Sequence, residues 1–451
     1  MVKNIIASLL FFIILGSCKN ESGWQSLFND RDLNGWHIKG GNAKFSVEDR
    51  TIVGETVLDE PSTFLCTDND YNDFILELEL FVDTSMNSGI QFRSHSIPEY
   101  KKGIVHGYQM EIDPSSRGWS GGIYDESHRG WLYTMDPNPQ AKTAFINNEW
   151  NKYRIEAIGT HIKTYVNGIQ TADLLDNTDS SGFIALQVHF ILGIEYPWTI
   201  GTKVKWRNIR IMTENLEANC LKPSTKITQL NYIPNTISDF EKINGWKLLF
   251  DGFSQEGWTN WDNWQLRNGI ISSLNNKSSN EEVVGGDLIT SDEYGDFELS
   301  FEFMINEGAN SGISYYVSGN GNGNGNGNKE NILIGLEYQI SDDQSSELKS
   351  GPDGNRSLAS LYDLVPAQNK RENPKGVWNN ARILSRNNHV EHWLNGFKVL
   401  EYTRNNEEFH KLVSLSKYKS CKNYGENLKG RISLQNGNGV SFRSIKIHEL
   451  N

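Results

Sequence analysis

"YNDFILELELFVD", Tyr71 to Asp83, decides how the chain folds, because its apolar residues recur at every second position. Phe74, Leu76, Leu78, Leu80 and Val82 share one face, while Glu77 and Glu79 point the other way. Successive side chains of a strand emerge on opposite faces, so the stretch predicts a half-buried antiparallel strand. The same register returns in "YGDFELSFEFMIN" from Tyr294, with Phe297, Leu299, Phe301, Phe303 and Ile305 opposite Glu298 and Glu302.

That return is part of a longer duplication. "GWQSLFNDRDLNGW" from Gly23 recurs as "GWKLLFDGFSQEGW" from Gly245, and "NSGIQFR" from Asn87 recurs as "NSGISYY" from Asn310. "GYQMEID" then answers to "GLEYQIS", "GGIYDE" to "ASLYDL", "FIALQ" to "RISLQ", and "VKWRNIRI" to "VSFRSIKI". Each copy is the size of a domain. Asn167-Gly168 and Asn395-Gly396 each interrupt alternating runs, a strong hairpin signal. Many short strands predict two tandem domains, each a β-sandwich or jelly roll, residues 23–214 and 245–451, joined by a polar linker over 215–244. Pro223 and Pro234 suit a linker, and Ser238 followed by Glu241 predicts one short capped helix. "GNGNGNGNGN", Gly319 to Asn328, reads as a loop insertion.

The first 18 residues put Lys3 ahead of an apolar run from Ile5 to Leu15, too short to span a bilayer, which takes roughly 20 residues. "LGSC" resembles a lipobox, so Cys18 is the expected lipidation site, and Lys19 after it favours the outer membrane over the inner. The expected location is the bacterial cell envelope, on the periplasmic or surface face, with acyl chains as the membrane contact. A net charge of −13 and a pI of about 5.3 argue against nucleic acid and anionic lipid as partners. Cys66, Cys220 and Cys421 show no metal-site or redox spacing.

Applied to the motifs, the period of two gathers a polar face. Gln91 and Arg93 emerge opposite Ile90 and Phe92; Gln109, Glu111 and Asp113 opposite Tyr108, Met110 and Ile112; Gln187 and His189 opposite Leu186, Val188 and Phe190. "RGWSGGIYDESHRGWLY" adds Trp119, Tyr124, Trp131 and Tyr133 beside Asp125, Glu126, His128 and Arg129, and aromatic platforms among hydrogen-bonding groups suit sugar rings. Any half-buried sheet has a polar face, and loop aromatics also plug sandwich edges, so a solvated surface is the competing reading. His106, His128 and His189 match no metal-ligand spacing. The chain has no phosphate loop or nucleophile elbow.

The ordered motifs "SLFNDRDLNGW", "YNDF", "NSGIQFR", "GYQMEID", "GGIYDE", "LQVH" and "WRNIRI" resemble the 3-keto-disaccharide hydrolase family, also described as 3-keto-glucoside 1,2-lyase and 3-keto-2-hydroxyglucal hydratase domains. The second copy resembles another branch through "GLEYQISDD", "DGNRSLASLYDL" and "SKYK". The resemblance implies a concanavalin A-like sandwich acting on glycosides already oxidised at C3 by a separate sugar oxidoreductase. The implied chemistry is removal of the C2 proton, β-elimination at C1 and hydration of the enone. It assigns Glu111 or His189 as base, Arg93 with or without a divalent metal as enolate stabiliser, and Tyr124 or His106 as proton donor. Gln91, Gln109, Asp113, Trp119, Glu126, Arg129, Trp131 and Gln187 would line the sugar site, and Glu337, Gln339, Arg356 and Tyr362 its counterpart in the second copy. There Tyr316 stands for Arg93 and Gly437 for His189, which predicts a silent second domain that still holds sugar. Two alternatives stay open: a carbohydrate-binding protein without chemistry, and a conventional sandwich glycosidase with paired carboxylates about 5–5.5 Å apart.

Overall fold

The computed structural model describes residues 23–450 apart from 84–85, 192–200, 223–226, 275–285, 322–331 and 346–350. The leader with Cys18, Pro223 and most of the Gly319–Asn328 repeat lie outside the described residues. Among the described residues no helix is long and apolar enough to cross a membrane.

The strand Phe74–Val82 sits between Asn151–Ile158 and Lys203–Met212 in the middle of a nine-stranded back sheet. Its five alternate apolar side chains are all buried in the first core. Each such side chain stabilises the fold by roughly 1.5–3 kcal/mol relative to exposure, which pins the register. The facing sheet has seven strands, with His106–Ile112, Ser88–His95 and Gly182–Val188 side by side at its centre. Ile90, Phe92, Tyr108, Met110, Ile112 and Leu186 point from it into the same core. This is an all-β, jelly-roll-type sandwich, and it is built twice.

In the second sandwich the two central strands are one. Phe297–Gly321 runs 25 residues through both layers: its first part pairs with Trp378–Arg386, its last part with Ile332–Ser341 and Arg431–Leu434. Both Asn-Gly hairpins take the left-handed backbone that a two-residue turn requires, with φ of 51° and 81° at Asn167 and Gly168, and 47° and 80° at Asn395 and Gly396.

The segment between the copies is fastened at both ends. Ile227 belongs to the first core, Leu230–Asn231 pairs with Leu174 and Leu175, and the Tyr133 hydroxyl donates to the Thr228 carbonyl at 2.8 Å. Asn235 then exchanges hydrogen bonds with Ser444, and the helix Asp239–Ile243, closed by the Ser238/Glu241 capping box, presents Glu241 to Lys446 at 2.8 Å. Besides this helix and the single turn Leu216–Asn219 in the same segment, a longer helix, Glu407–Leu415, lies within the second sandwich, with no counterpart among the described residues of the first copy. Asn406 caps it through the Phe409 amide, and Phe409, Leu412 and Val413 pack inward. Cys66, Cys220 and Cys421 are free thiols.

Candidate active site

The outer face of the seven-stranded sheet carries the predicted polar row. Register places Gln187 beside Gly89 and Gly89 beside Glu111, with Gln91, Gln109 and Tyr124 aligned next to them. Glu111 is buried at the centre: Asn87 Nδ2 donates to its Oε1 at 2.7 Å, Gln109 Nε2 to its Oε2 at 3.1 Å, and Arg117 lies 3.6 Å away. Gln91 donates to Gln109 Oε1 at 2.8 Å, completing the chain of amides. Burial outweighs these partners and pushes the Glu111 carboxyl up to about 7. Gly89 makes room for this packing, since a Cβ there would stand 2.2 Å from the Gln109 side chain. Gln187 is fully buried, and neither atom of its amide has a hydrogen-bond partner among the described residues.

Aromatic groups stand beside this floor. Trp131 lies edge-on to Tyr124 at 5.2 Å and to Trp119 at 4.7 Å, with the Arg117 guanidinium 4.4 Å over the Trp119 ring. Burial, then the charges of Glu126 and Glu111, push the Tyr124 hydroxyl up to about 12, so it keeps its proton. Glu126 is raised by burial as well.

Four expected site residues do other work. Arg93 has a φ of 46°, which breaks the alternation and turns its side chain to the end of the core. It donates to the carbonyls of Asn72 and Gly159 and to Asp73, at 2.7, 2.8 and 2.9 Å. Arg129 is clamped between Asp125 and Asp176. Asp113 accepts from Ser115, Trp119 and Arg117 and so shapes the loop that presents Arg117 and Trp119. His106 lies tilted against Tyr100 at 4.2 Å beside His95, and by alternation along its strand it falls with Tyr108 and Met110, off the Glu111 face. His189 follows the end of its strand, half-buried, with Nδ1 2.8 Å from the Phe190 carbonyl oxygen, and burial lowers its pKa.

The second sandwich repeats the floor with one exchange. Gly312 pairs with Gln339 as Gly89 does with Glu111, so Gln339 occupies the glutamate position and Glu337 the position of Gln109. Gln339 spans Asn310 and Glu337, 3.0 Å to each, in the orientation whose nitrogen donates to Glu337 Oε1. Burial pushes Glu337 up to about 7, and Lys417 opposes that shift. Lys417, itself lowered by burial, sits 4.1 Å over the Tyr362 ring, while Arg356 pairs with Asp363 at 2.7 Å. A titrating pair is therefore present where loss was expected.

Tyr316 also repeats the structural task of Arg93. Its φ is 55°, and its hydroxyl donates to the Gly295 carbonyl at 2.8 Å, the position of Asn72 in the first copy. The guanidinium at this corner comes from Arg404 instead, 3.7 Å over the Tyr316 ring. Gly437 cannot carry a side chain at all: a Cβ would meet the Asn310 carbonyl oxygen at 1.9 Å.

Sequence reasoning missed Asn87 and Arg117. The repeated Asn-Ser-Gly held the signal: Asn87 and Asn310 hold the central residue, Ser88 and Ser311 donate to the Gln187 and Gln435 carbonyls, and the glycines admit the neighbouring side chain. Among the described residues, His389, Glu391 and Glu401 approach one another closely enough for a cation, on the second sandwich's hairpin away from either glutamate, and Lys398 already pairs with both carboxylates.

Comparison with known proteins gives a consistent picture. The 3-keto-alpha-glucoside-1,2-lyase-like domain matches residues 23–212 and again 245–448. A 3-keto-disaccharide hydrolase of Bacteroides thetaiotaomicron is 33% identical over 230 residues, 46% of this chain and 79% of that protein. A crystal structure from Parabacteroides distasonis, provisionally assigned as a glycosyl hydrolase, is 28% identical with a TM-score of 0.41, covering 48% of this chain and all of that one. The carbohydrate-binding module CBM66 of Bacillus subtilis is 16% identical with a TM-score of 0.28, over 40% of this chain and 95% of the module.

Proposed function

Because the chain belongs to the 3-keto-alpha-glucoside-1,2-lyase-like domain family, with both sandwiches matched, we propose that it cleaves 3-keto-glycosides by elimination and that Glu111 of the first sandwich is the base. The observation that carries this reading is a buried carboxyl raised to about 7, held between two amides on a polar sheet face. A general base works best with a pKa near the operating pH, and burial supplies that here.

The ketone at C3 acidifies the hydrogen on C2. The Glu111 carboxylate takes that proton, and the C–H electron pair moves into an enolate across C2, C3 and the C3 oxygen. When the enolate collapses, C1 and C2 become doubly bonded and the C1–O bond breaks, its pair leaving on the aglycone oxygen, which Tyr124 protonates. Water adding at C1 of the enone gives net hydrolysis. Gln187 suits the enolate: a buried amide without a partner costs about 1–3 kcal/mol, and a substrate oxygen removes that cost. Arg117 takes the place that Arg93 was expected to fill, 3.6 Å from Glu111.

The second sandwich binds sugar without turning it over in this reading. Glu337 is displaced two residues along its strand, about 7 Å, and misplacement of a reacting group by about 1 Å can cost 10²-fold in rate. The lipobox-like leader supports a lipid-anchored place in the cell envelope, and the substrate requires a separate sugar 3-oxidoreductase upstream.

Incubating the mature protein with a 3-keto-glucoside and with its unoxidised parent tests the reading. Release from the keto sugar alone is expected. Release from the parent alone would favour a conventional glycosidase, and binding without release from either would leave a lectin.

A further inference from the structure

The second sandwich reaches the first one's site through its own hairpin. Phe397, directly after the Asn395-Gly396 turn, packs against the first core, its ring 5.9 Å from that of Trp119. The Arg371 guanidinium lies 4.2 Å over the Phe397 ring, and its segment is tied to the turn by Asn395 Nδ2 donating to the Arg371 carbonyl at 2.7 Å. Arg117 lies 4.4 Å over the same Trp119 ring and also reaches Glu111. A continuous row, Arg117, Trp119, Phe397 and Arg371, thus leads from the buried base out across the domain boundary, with both guanidiniums at the exposed rim. The positive charge of Arg371 is felt at the Tyr124 hydroxyl, as is the negative charge of Glu111. In the first copy the same hairpin position is Ile169, which is 45% exposed. An aromatic residue at Phe397 is therefore not required by the hairpin; its contacts across the boundary account for it.

We infer that Phe397 and Arg371 complete the aglycone end of the first sandwich's site and set which 3-keto-glycosides fit, an inference that rests on the function proposed above. The reacting ring must sit over Glu111 on the closed floor. Its C1 substituent then points to the opening, where this row supplies a ring edge and two cations to the hydroxyls of a second sugar. The second sandwich would contribute to catalysis by shape without chemistry of its own.

The test uses full-length Phe397→Ile, which restores the first copy's residue, and Arg371→Gln at an exposed position, with thermal melting as the control for folding. The probes are the 3-keto derivatives of trehalose, whose symmetry makes the oxidised ring unambiguous, and of methyl α-glucoside. KM for the disaccharide is expected to rise about threefold to fivefold, the scale of one net hydrogen bond to the second sugar, while kcat/KM for the methyl glycoside stays unchanged. Equal losses on both probes, or no change on either, would overturn the inference. A wild-type protein inactive on both would instead bring down the proposed function, a result distinct from unchanged variants of an active enzyme.

Discussion

Glu111 and Glu337 sit on corresponding strands of the two sandwiches, both buried and both raised to about 7, yet two residues apart. Around them the frame is held constant: Asn87 and Asn310, Gly89 and Gly312, and the amide that completes each pair, Gln109 or Gln339. The duplication thus kept a glutamate and a glutamine on one face and exchanged their order. What distinguishes the copies is the placement of a charge, not its loss. The Arg93 and Tyr316 pair teaches the converse, since a conspicuous change of residue type preserves the same anchoring of a carbonyl at the sandwich corner.

The sharpest way to break this comparison is to make the first copy resemble the second. The exchange Gln109→Glu with Glu111→Gln should lower kcat/KM by about 10²-fold or more and leave the melting temperature near that of the parent, because the second sandwich already shows the exchanged pair to pack. Activity that survives the exchange would mean the position of the carboxyl is unimportant.

Next in size is the corner. Arg93→Ala should destabilise the protein by about 2–3 kcal/mol, since it leaves two carbonyls and Asp73 without their charged donor, and denaturant unfolding would read the change. Arg93→Tyr should recover part of that loss by reproducing the Tyr316 contact. Neither variant should alter kcat beyond about twofold, whereas a large drop in kcat with stability intact would return Arg93 to the catalytic site.

The smallest effect concerns pH. Both glutamates have folded-state pKa values raised from 4.5 to about 7 by burial. Between those values the folded protein holds more protons than the unfolded chain, so stability present below pH 4.5 is lost as pH rises through 7, on the order of 1–3 kcal/mol for each carboxyl. Glu111→Gln should flatten its share of that decline, and Glu337→Gln the other. Identical pH dependence in wild type and both variants would contradict the burial of these groups.

Much of this was legible in the sequence because strands advertise themselves by a period of two. Phe74 to Val82 and the polar row of Gln91, Gln109, Glu111 and Gln187 follow that rule, and the structure places them accordingly. The rule failed where the backbone leaves the extended region. The left-handed residue at Arg93 reverses the facing of its side chain, so Arg93 left the predicted face; His106, named only through the family resemblance, shares the alternation of Tyr108 and Met110, not that of Glu111. Arg129 and Asp113 were misplaced for other reasons: Asp176 becomes a neighbour of Arg129 only through tertiary folding, and Asp113 stands just past the end of its strand, where the following turn brings the 115–119 amides back onto its carboxylate. Asn406 followed by Glu407 and Glu408, with Phe409, Leu412 and Val413 at helical spacing, was a readable start for the helix Glu407–Leu415. That helix leads into Lys417, which the shorter crossover from Ile169–Leu175 to Gly182–Val188 in the first copy cannot supply.

The account rests on the first sandwich carrying the chemistry through Glu111, and steady-state turnover of a 3-keto-glucoside by full-length Glu111→Gln and Glu337→Gln proteins addresses it most directly. Glu111→Gln should lose at least about 10²-fold in kcat while Glu337→Gln retains the wild-type rate. Loss in Glu337→Gln with Glu111→Gln unimpaired would contradict the account and move the active site to the second sandwich.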